Sequence, residues 1–401
     1  MSQGKTEQPD FISLKKEMLA ELHNILSYWI DHTQDEDKGG FVGARDHYNQ
    51  LVPGAEKGAV LNARILWTFS AAYNFTEHPK YLELANRAYQ YLVERFTDPV
   101  NGGLYWSLNE DGTVANSRKQ IYAQGFGIYG FSEYYKATQN KEVLRHAISL
   151  FELIEKHSYD SNYGGYIEAL SENWSLLEDM RLSPKDANEP KSMNAHLHIL
   201  EPYTNLYRVW PDVQLKKKIA DLTRIFLHHI INKETNHFQL FFNYDWIVRS
   251  GIVSFGHDIE GAWLLAEAAY ELDDQKLIEE VEAISLKMVD AVLSEGMAND
   301  GSVYYERENG HLDTDKHWWP QAEAMVGLVY AWKISGKKDY LKTMNMTWQF
   351  IQSHLIDKEN GEWFWSVNNK GLPTTNNNKA GLWKCPYHNS RALIEVIKNL
   401  N

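Results

Sequence analysis

Two helical textures alternate along the chain. In one, charged residues crowd a face, as in Lys216-Lys-Lys218-Ile-Ala-Asp221. Such helices border solvent. They are predicted near 11–31, 78–97, 141–157, 212–231, 274–294 and 338–355. In the other, Gly, Ala and aromatic residues run nearly all round, the pattern of a helix buried on every side. These are predicted near 57–75, 119–137, 189–210, 254–272, 319–334 and 384–399. The third of them is read as beginning at Pro190, because proline is at home in a first helical turn.

A turn motif marks the step from an outer to an inner helix. Asp35-x-x-x-Gly39-Gly40-Phe41 recurs as Asp98…Gly102-Gly103-Leu104, Asp160…Gly164-Gly165-Tyr166 and Asp357…Gly361-Glu362-Trp363. Asn232…Asn236-His237-Phe238 is a degraded copy, and Asp300-Gly301 keeps only the glycine. Markers 39, 102, 164, 236, 301 and 361 are 63, 62, 72, 65 and 60 residues apart. Six units of this length form a repeat architecture. A short aromatic hairpin follows the motif: Leu104 to Val114 turns at Asp111-Gly112, and Asn368 to Gly371 repeats the device. The fold class is therefore all-α: an (α/α)6 barrel, or toroid, of six helix pairs with short β-hairpins at one end. No Pro/Ser-rich linker interrupts it, so residues 1–401 read as one catalytic domain.

Composition narrows the partners. The 401 residues are 43% hydrophobic and carry a formal charge of −14, which argues against nucleic acid and anionic membranes. No 18-residue apolar run could span a bilayer. The stretch from Met1 to Asp10 has no apolar segment of a signal peptide. With Cys385 as the single cysteine, no internal disulfide forms, and a reducing, cytoplasmic location is expected. Fourteen Trp and 23 Tyr offer platforms for sugar rings.

With hairpins and inner-helix starts at one end, unusual residues near those starts converge on the mouth. They are Arg64, Tyr122, Asn194 with His198, His257 with Glu260, Trp319 with Glu323, and His388. Asn194, His198 and Glu201 share one face at i, i+4 and i+7, and His196 points away. Lys57, Arg64 and Thr68 share another face. Pro320 reads as the first helical residue, with Trp318 and Trp319 at the lip, and Pro386 places His388 in a first turn. No metal is expected: no HxxxH or HExxH pair occurs, and the imidazoles sit on different repeats. Two chemistries suit such a mouth. Glycoside hydrolysis needs two carboxylates, and Glu201, Glu260, Glu323 or Asp186 could supply them. Proton transfer beside a sugar carbonyl suits imidazoles, which take and return protons near neutrality. Arg64 and His198 would then stabilise oxyanion charge.

Four ordered motifs carry a resemblance over essentially the whole chain. They are Lys191-Ser-Met-Asn194-Ala-His196-Leu-His198-Ile-Leu-Glu201, Gly256-His257-Asp258-Ile-Glu260, Trp318-Trp319-Pro320-Gln321-Ala-Glu323 and Trp383-Lys-Cys-Pro386-Tyr-His388. They resemble the N-acylglucosamine 2-epimerase superfamily, and within it most closely the cellobiose 2-epimerase group, mannose 2-epimerase-type variants included. The His-Leu-His run argues against the N-acyl branch; Ala195 and Pro202 depart from the pattern but leave the site residues intact. The resemblance implies an isomerase that needs no cofactor and inverts C2 of a reducing-end aldose, mono- or disaccharide. His257 and His388 would be its two acid/base residues, and a cis-enediolate would form, with rotation about C2–C3 between proton removal and return. His198 would contact the carbonyl oxygen region, and Arg64 would polarise O1 and O2. Asn194, Tyr122, Glu260 and Glu323 would orient imidazoles and hydroxyls. Trp319 and Trp383 would stack on sugar rings, Trp318 would line the same mouth, and Asp186 would stand near a second sugar. Aldose–ketose isomerisation of the mannose isomerase kind, or glycoside hydrolysis, is the alternative, and monomer and homodimer both remain open.

Overall fold

The computed structural model describes residues 10–400. The N-terminal stretch 1–9, read above as lacking a signal peptide, and residue 401 lie outside the described residues. Twelve α-helices occur among the described residues: α1 (Phe11–His32), α2 (Ala59–Thr76), α3 (Pro79–Tyr91), α4 (Ile121–Thr138), α5 (Lys141–His157), α6 (Met193–Tyr207), α7 (Val213–Ile225), α8 (Phe255–Leu272), α9 (Gln275–Glu295), α10 (Trp318–Ser335), α11 (Lys338–Phe350) and α12 (Tyr387–Asn399). Even-numbered helices pack in the closed order α2–α4–α6–α8–α10–α12–α2. Each carries one odd-numbered helix on its outer side, and α1 packs on α12, joining the two ends of the chain. This is the (α/α)6 barrel.

The helix ends explain the polarity of the barrel. Inner helices α2, α4, α8 and α10 stop at a left-handed residue (Glu77, Gln139, Asp273 and Gly336), and the next outer helix begins within a few residues. Side-chain caps from Asp10, His78, Asn140, Asp212 and Asp274 start five outer helices. Helices α3, α7 and α11 end in a π-helical turn, at Leu92–Phe96, Phe226–Ile230 and Ile351–Leu355. The return path from outer to inner helix is long, so all hairpins gather at the opposite end.

Five inner helices begin directly after a short strand: β1 (Lys57–Gly58), β4 (Lys119–Gln120), β6 (Lys191–Ser192), β8 (Val253–Ser254) and β11 (Lys316–His317). Each pairs antiparallel with the hairpin of the following unit, at β2 (Ser107–Leu108), β5 (Ala169–Leu170), β7 (Phe241–Phe242), β9 (Glu306–Glu308) and β12 (Ser366–Val367); β3 (Val114–Asn116) and β10 (His311–Asp313) complete two hairpins. The first amides of α2, α4, α6 and α10 donate to the carbonyls of Trp106, Glu168, Leu240 and Trp365. Three expectations are corrected by this pairing. Pro190 precedes β6, and α6 starts at Met193 under the cap Ser192, whose Oγ accepts from Ala195 N at 3.0 Å. Lys57 lies in β1 and off the face of Arg64. Pro320 is the third residue of α10 rather than its first, tolerated because amides of the first turn have no intrahelical partner.

The repeat motif is a buried ion pair. Lys57, Lys119, Lys191 and Lys379 donate to Asp35, Asp98, Asp160 and Asp357 at 2.7, 2.8, 2.8 and 2.5 Å. Lys57 and Lys191 also donate to the carbonyls of Gly39 and Gly164. In the degraded fourth copy Asn232 replaces the aspartate, and β8 carries Val253 where the other strands carry lysine. In that copy cation and anion are lost together, whereas the fifth copy, with Met297 rather than aspartate four residues before Gly301, keeps Lys316 over the Tyr304 ring at 5.5 Å.

Candidate active site

All six inner helices bring a residue to the mouth. From α2, Arg64 donates through Nη2 to the Tyr122 hydroxyl of α4 at 2.7 Å. Its guanidinium lies 4.1 Å from the ring centre of Phe126 and 4.7 Å from that of Tyr387. From α6, His198 packs edge-on to Tyr122, with ring centres 4.9 Å apart. From α8 and α12, His257 and His388 pack against the same indole, Trp319 of α10, at 4.6 and 5.7 Å between ring centres.

Each imidazole is held through Nδ1. His388 lies 2.6 Å from Glu323 Oε1, His198 lies 3.1 Å from Glu201 Oε2, and His257 lies 2.7 Å from Ser254 Oγ. A carboxylate at Nδ1 makes that nitrogen the donor and leaves Nε2 with its lone pair for a substrate. Burial, then the neighbouring His198 imidazole and the Arg64 guanidinium, bring the His257 imidazole down to about 3. Burial and the guanidinium groups of Arg64 and Arg391 hold His388 well below the ordinary imidazole range. Burial also lowers His198, against the pull of Glu201. All three are neutral bases at pH 7.

Beneath them lies a charge cluster built on Arg391, itself 1% exposed. Nη2 donates to Glu260 and Glu323, each at 2.7 Å, and Nη1 donates to Glu201 and to the Tyr387 hydroxyl. The Tyr387 hydroxyl donates to Glu201 as well, and Trp263 Nε1 donates to Glu323 at 3.1 Å. Burial would raise the Glu201 carboxyl, but Arg391, His198 and Tyr387 outweigh it and bring it down to about 2. Burial and repulsion from Glu323 push Glu260 well up, and its Oε2 has no partner. One guanidinium cannot neutralise three carboxylates, and Glu260 is the one driven furthest toward its protonated form. Glu260, Glu323 and His388 also place ligand atoms within 4.8 Å of one another. Arg391 already supplies the positive charge at that spot.

The other predicted residues stand further out. Trp318 is buried behind His388, with ring centres 6.4 Å apart, and packs on Trp365. Trp383 is half-buried at the rim between Trp106 and Tyr122. Asp186 and Asn194 line a small cavity with Glu168 and Ser192, one helical turn from His198; Asn194 Oδ1 has no partner. Burial raises Asp186, which accepts from Ser183 N at 2.8 Å. Glu260 does not orient an imidazole: it lies 3.9 Å from His388 Nδ1 and binds Arg391 instead. The sequence reading missed Arg391, Tyr387, Ser254 and Trp263. Arg391, three residues after His388 on a helix otherwise buried, carried the signal of an ion that must have a partner.

A ring of inner helices with three neutral imidazoles, an arginine and aromatic walls at its mouth is the site of an (α/α)6-barrel enzyme. The profile of the N-acylglucosamine 2-epimerase (GlcNAc 2-epimerase) family matches residues 39–392, and the chain belongs to that family. It is 49% identical over 387 residues to a cellobiose 2-epimerase of Bacteroides fragilis, covering 96% of this chain and 98% of that one. A cellobiose 2-epimerase of Dictyoglomus turgidum is 39% identical over 393 residues, covering 98% of this chain and all of the other (100%). The solved cellobiose 2-epimerase of Bacillus thermoamylovorans superposes with a TM-score of 0.92 at 38% identity, covering 96% of this chain and 99% of that one. No helix among the described residues is long and apolar enough to cross a membrane.

Proposed function

We propose that the chain is a sugar 2-epimerase that interconverts the glucose and mannose configurations at C2 of a reducing-end aldose, with cellobiose as a substrate. The disaccharide assignment rests on the relatives called cellobiose 2-epimerases. The observation that carries the reaction is the packing of His257 and His388 against one indole, Trp319. Two bases on a shared platform suit removal and return of one proton on opposite faces of a carbon. The sugar ring opens, one imidazole takes the C2 proton, a cis-enediolate forms, and the other imidazole protonates the opposite face. Electrons from the C2–H bond move into the C1–C2 double bond as O1 gains negative charge, and Arg64 with Tyr122 stabilises that charge. Glu323 lowers the cost of the imidazolium at His388. His198 contacts the carbonyl oxygen region, Trp383 stacks on a sugar ring, and Asp186 and Asn194 serve a second sugar. Residues 1–401 act as one catalytic domain, because every repeat contributes to this site.

Hydrolysis is disfavoured by the same geometry. Glu201, Glu260 and Glu323 all bind Arg391, which weakens each as a nucleophile, and Asp186 stands apart from them in the small cavity beside Asn194. Incubating the protein with cellobiose or mannose in D2O, followed by sugar NMR, tests the proposal. The expected product is the C2 epimer with deuterium at C2. An epimer without deuterium, or glucose released from cellobiose with C2 unchanged, overturns it.

A further inference from the structure

The last repeat breaks the motif at one position, and the break reaches the mouth. Gly40, Gly103 and Gly165 hold the second glycine place with φ of 64°, 75° and 79°. In the sixth unit that place is Glu362, with φ of 61°. A side chain stays in the left-handed region only where its surroundings fix it. In other units the amide that follows is held from the inner helix, by Gln124, His196, Asp258 or Gln321. Here Glu362 Oε1 takes the amide of Trp363 itself at 2.8 Å, and Asn389 from α12 donates to the same oxygen at 2.6 Å. Glu362 Oε2 accepts from Trp29 Nε1 at 2.5 Å. The remaining partner is Lys384, 2.7 Å away, with both side chains fully buried.

Lys384 belongs to a segment without regular structure, between the bridge at Ala380 and the start of α12. Its neighbours on either side are site residues. Trp383 stands between Trp106 and Tyr122, and Cys385 Sγ faces Arg64 Nη1 at 3.9 Å. The Lys384 ammonium also lies 5.1 Å from the ring centre of Trp318. The local turn bond, Gly381 N to Lys384 O at 2.9 Å, closes on this same residue.

We infer that Glu362 and Lys384 are positioning residues that set sugar affinity, by fixing the backbone from which Trp383 stands into the mouth. The inference rests on the epimerase reading, since it takes Trp383 as a wall for the sugar. Neither Glu362 nor Lys384 reaches the acid/base imidazoles in any hydrogen bond or ion pair of the structure, so their effect falls on binding rather than on proton transfer.

The test is a pair of variants, Lys384→Met and the double variant Glu362→Gly/Lys384→Met, assayed with cellobiose and followed by thermal melts. Lys384→Met strands a buried carboxylate and melts early. The double variant removes both charges and restores the glycine of three other repeats, but it also frees the buried donors of Trp29, Trp363 and Asn389, so its melting recovers only part of the loss. In it, KM for cellobiose rises about tenfold while kcat stays within about threefold, the mark of lost ground-state and transition-state binding together. A purely structural pair would lower the amount of active enzyme and leave KM alone. An unchanged KM in the folded double variant overturns the inference, as does a fall in kcat at constant KM. Should the wild type epimerise no aldose, the epimerase reading falls separately. Tryptophan quenching on titration with cellobiose then makes the same comparison, and equal affinity of wild type and double variant overturns the inference.

Discussion

Adding one methyl group at Gly256 tests whether Trp319 governs the two imidazoles. Gly256 is the second residue of α8, next to His257, and its backbone is ordinary helix, so alanine fits the conformation. A Cβ there would stand 2.5 Å from Trp319 Cη2, 2.7 Å from Cζ3 and 2.9 Å from Pro320 Cγ. Carbon atoms rest at about 3.5–4.0 Å, so the indole must retreat by roughly 1 Å. Overpacking of this kind costs about 1–3 kcal/mol, partly offset by the ~1 kcal/mol that alanine gains over glycine in a helix. Stability should therefore change little. Activity should change much more, because the indole is the surface on which His257 and His388 both rest. Misplacing a catalytic group by 1 Å can cost about 10²-fold, and Gly256→Ala is expected to lower kcat/KM by roughly that factor. Initial rates of cellobiose epimerisation, read beside thermal melts, supply the measurement. Trp319→Leu is the control background: with no indole to strike and only the Pro320 Cγ contact left, the added methyl should cost clearly less than in the wild type. Wild-type rates in Gly256→Ala, or an equal loss in both backgrounds, would refute the reasoning.

Two further outcomes follow from the charges. The His257 imidazole binds its proton near 6.5 in the unfolded chain but only at about 3 when folded. The unfolded state therefore holds more protons between those values, and stability falls as pH drops from 6.5 toward 3, by up to ~1.4 kcal/mol per unit for this group. Urea midpoints of wild type and His257→Ala at pH 7 and pH 4.5 check it; identical pH dependence in the two would contradict the burial argument. Arg391→Met leaves Glu201, Glu260 and Glu323 without their cation and should cost about 3–5 kcal/mol, while Arg391→Lys recovers part, since an ammonium lacks the planar fork. Urea unfolding reads both, and a wild-type midpoint for Arg391→Met would show that the cluster carries no net stabilisation.

The repeat was legible because it is written in conformation-specific residues. Gly39-Gly40, Gly102-Gly103 and Gly164-Gly165 all take left-handed backbone, which few other residues adopt, so the marker survives in the sequence. The inner helices were legible by their lack of a polar face, and the residues near their starts do meet: Arg64 with Tyr122, His257 and His388 with Trp319. The start of α6 was not legible. A two-residue strand leaves no period to read, and Pro190 mimics a first turn. Which carboxylate serves which imidazole was hidden too. Glu201 meets His198 one turn away, but Glu323 meets His388 across 65 residues and a helix boundary, a contact that only the ring closure creates. The partners of Arg391 were hidden for the same reason, since they come from α6, α8 and α10.

The placement of charge separates scaffold from chemistry. Around the ring, Lys57, Lys119, Lys191 and Lys379 each meet one aspartate, and where the acid is absent at Asn232 the base is absent at Val253. Those four pairs are neutral one by one, and in the fifth unit, where Met297 rather than an acid stands four residues before Gly301, Lys316 rests over the Tyr304 ring instead. At the site the rule is broken: three carboxyl groups share one guanidinium, Glu260 driven toward its protonated form, and three imidazoles stay uncharged beside it. An imidazolium formed during turnover at His388 then finds Glu323 already oriented, through the same carboxylate that Arg391 holds. Excess buried negative charge is costly in the resting protein, yet it favours the protonated state that the second half of an inversion requires. Arg64 supplies a second positive charge at the mouth, held among Tyr122, Phe126 and Tyr387 and in no ion pair with those carboxylates. Such a site can stabilise an enediolate through Arg64 and an imidazolium through Glu323, because Arg64 forms no ion pair that would neutralise its charge in the resting state.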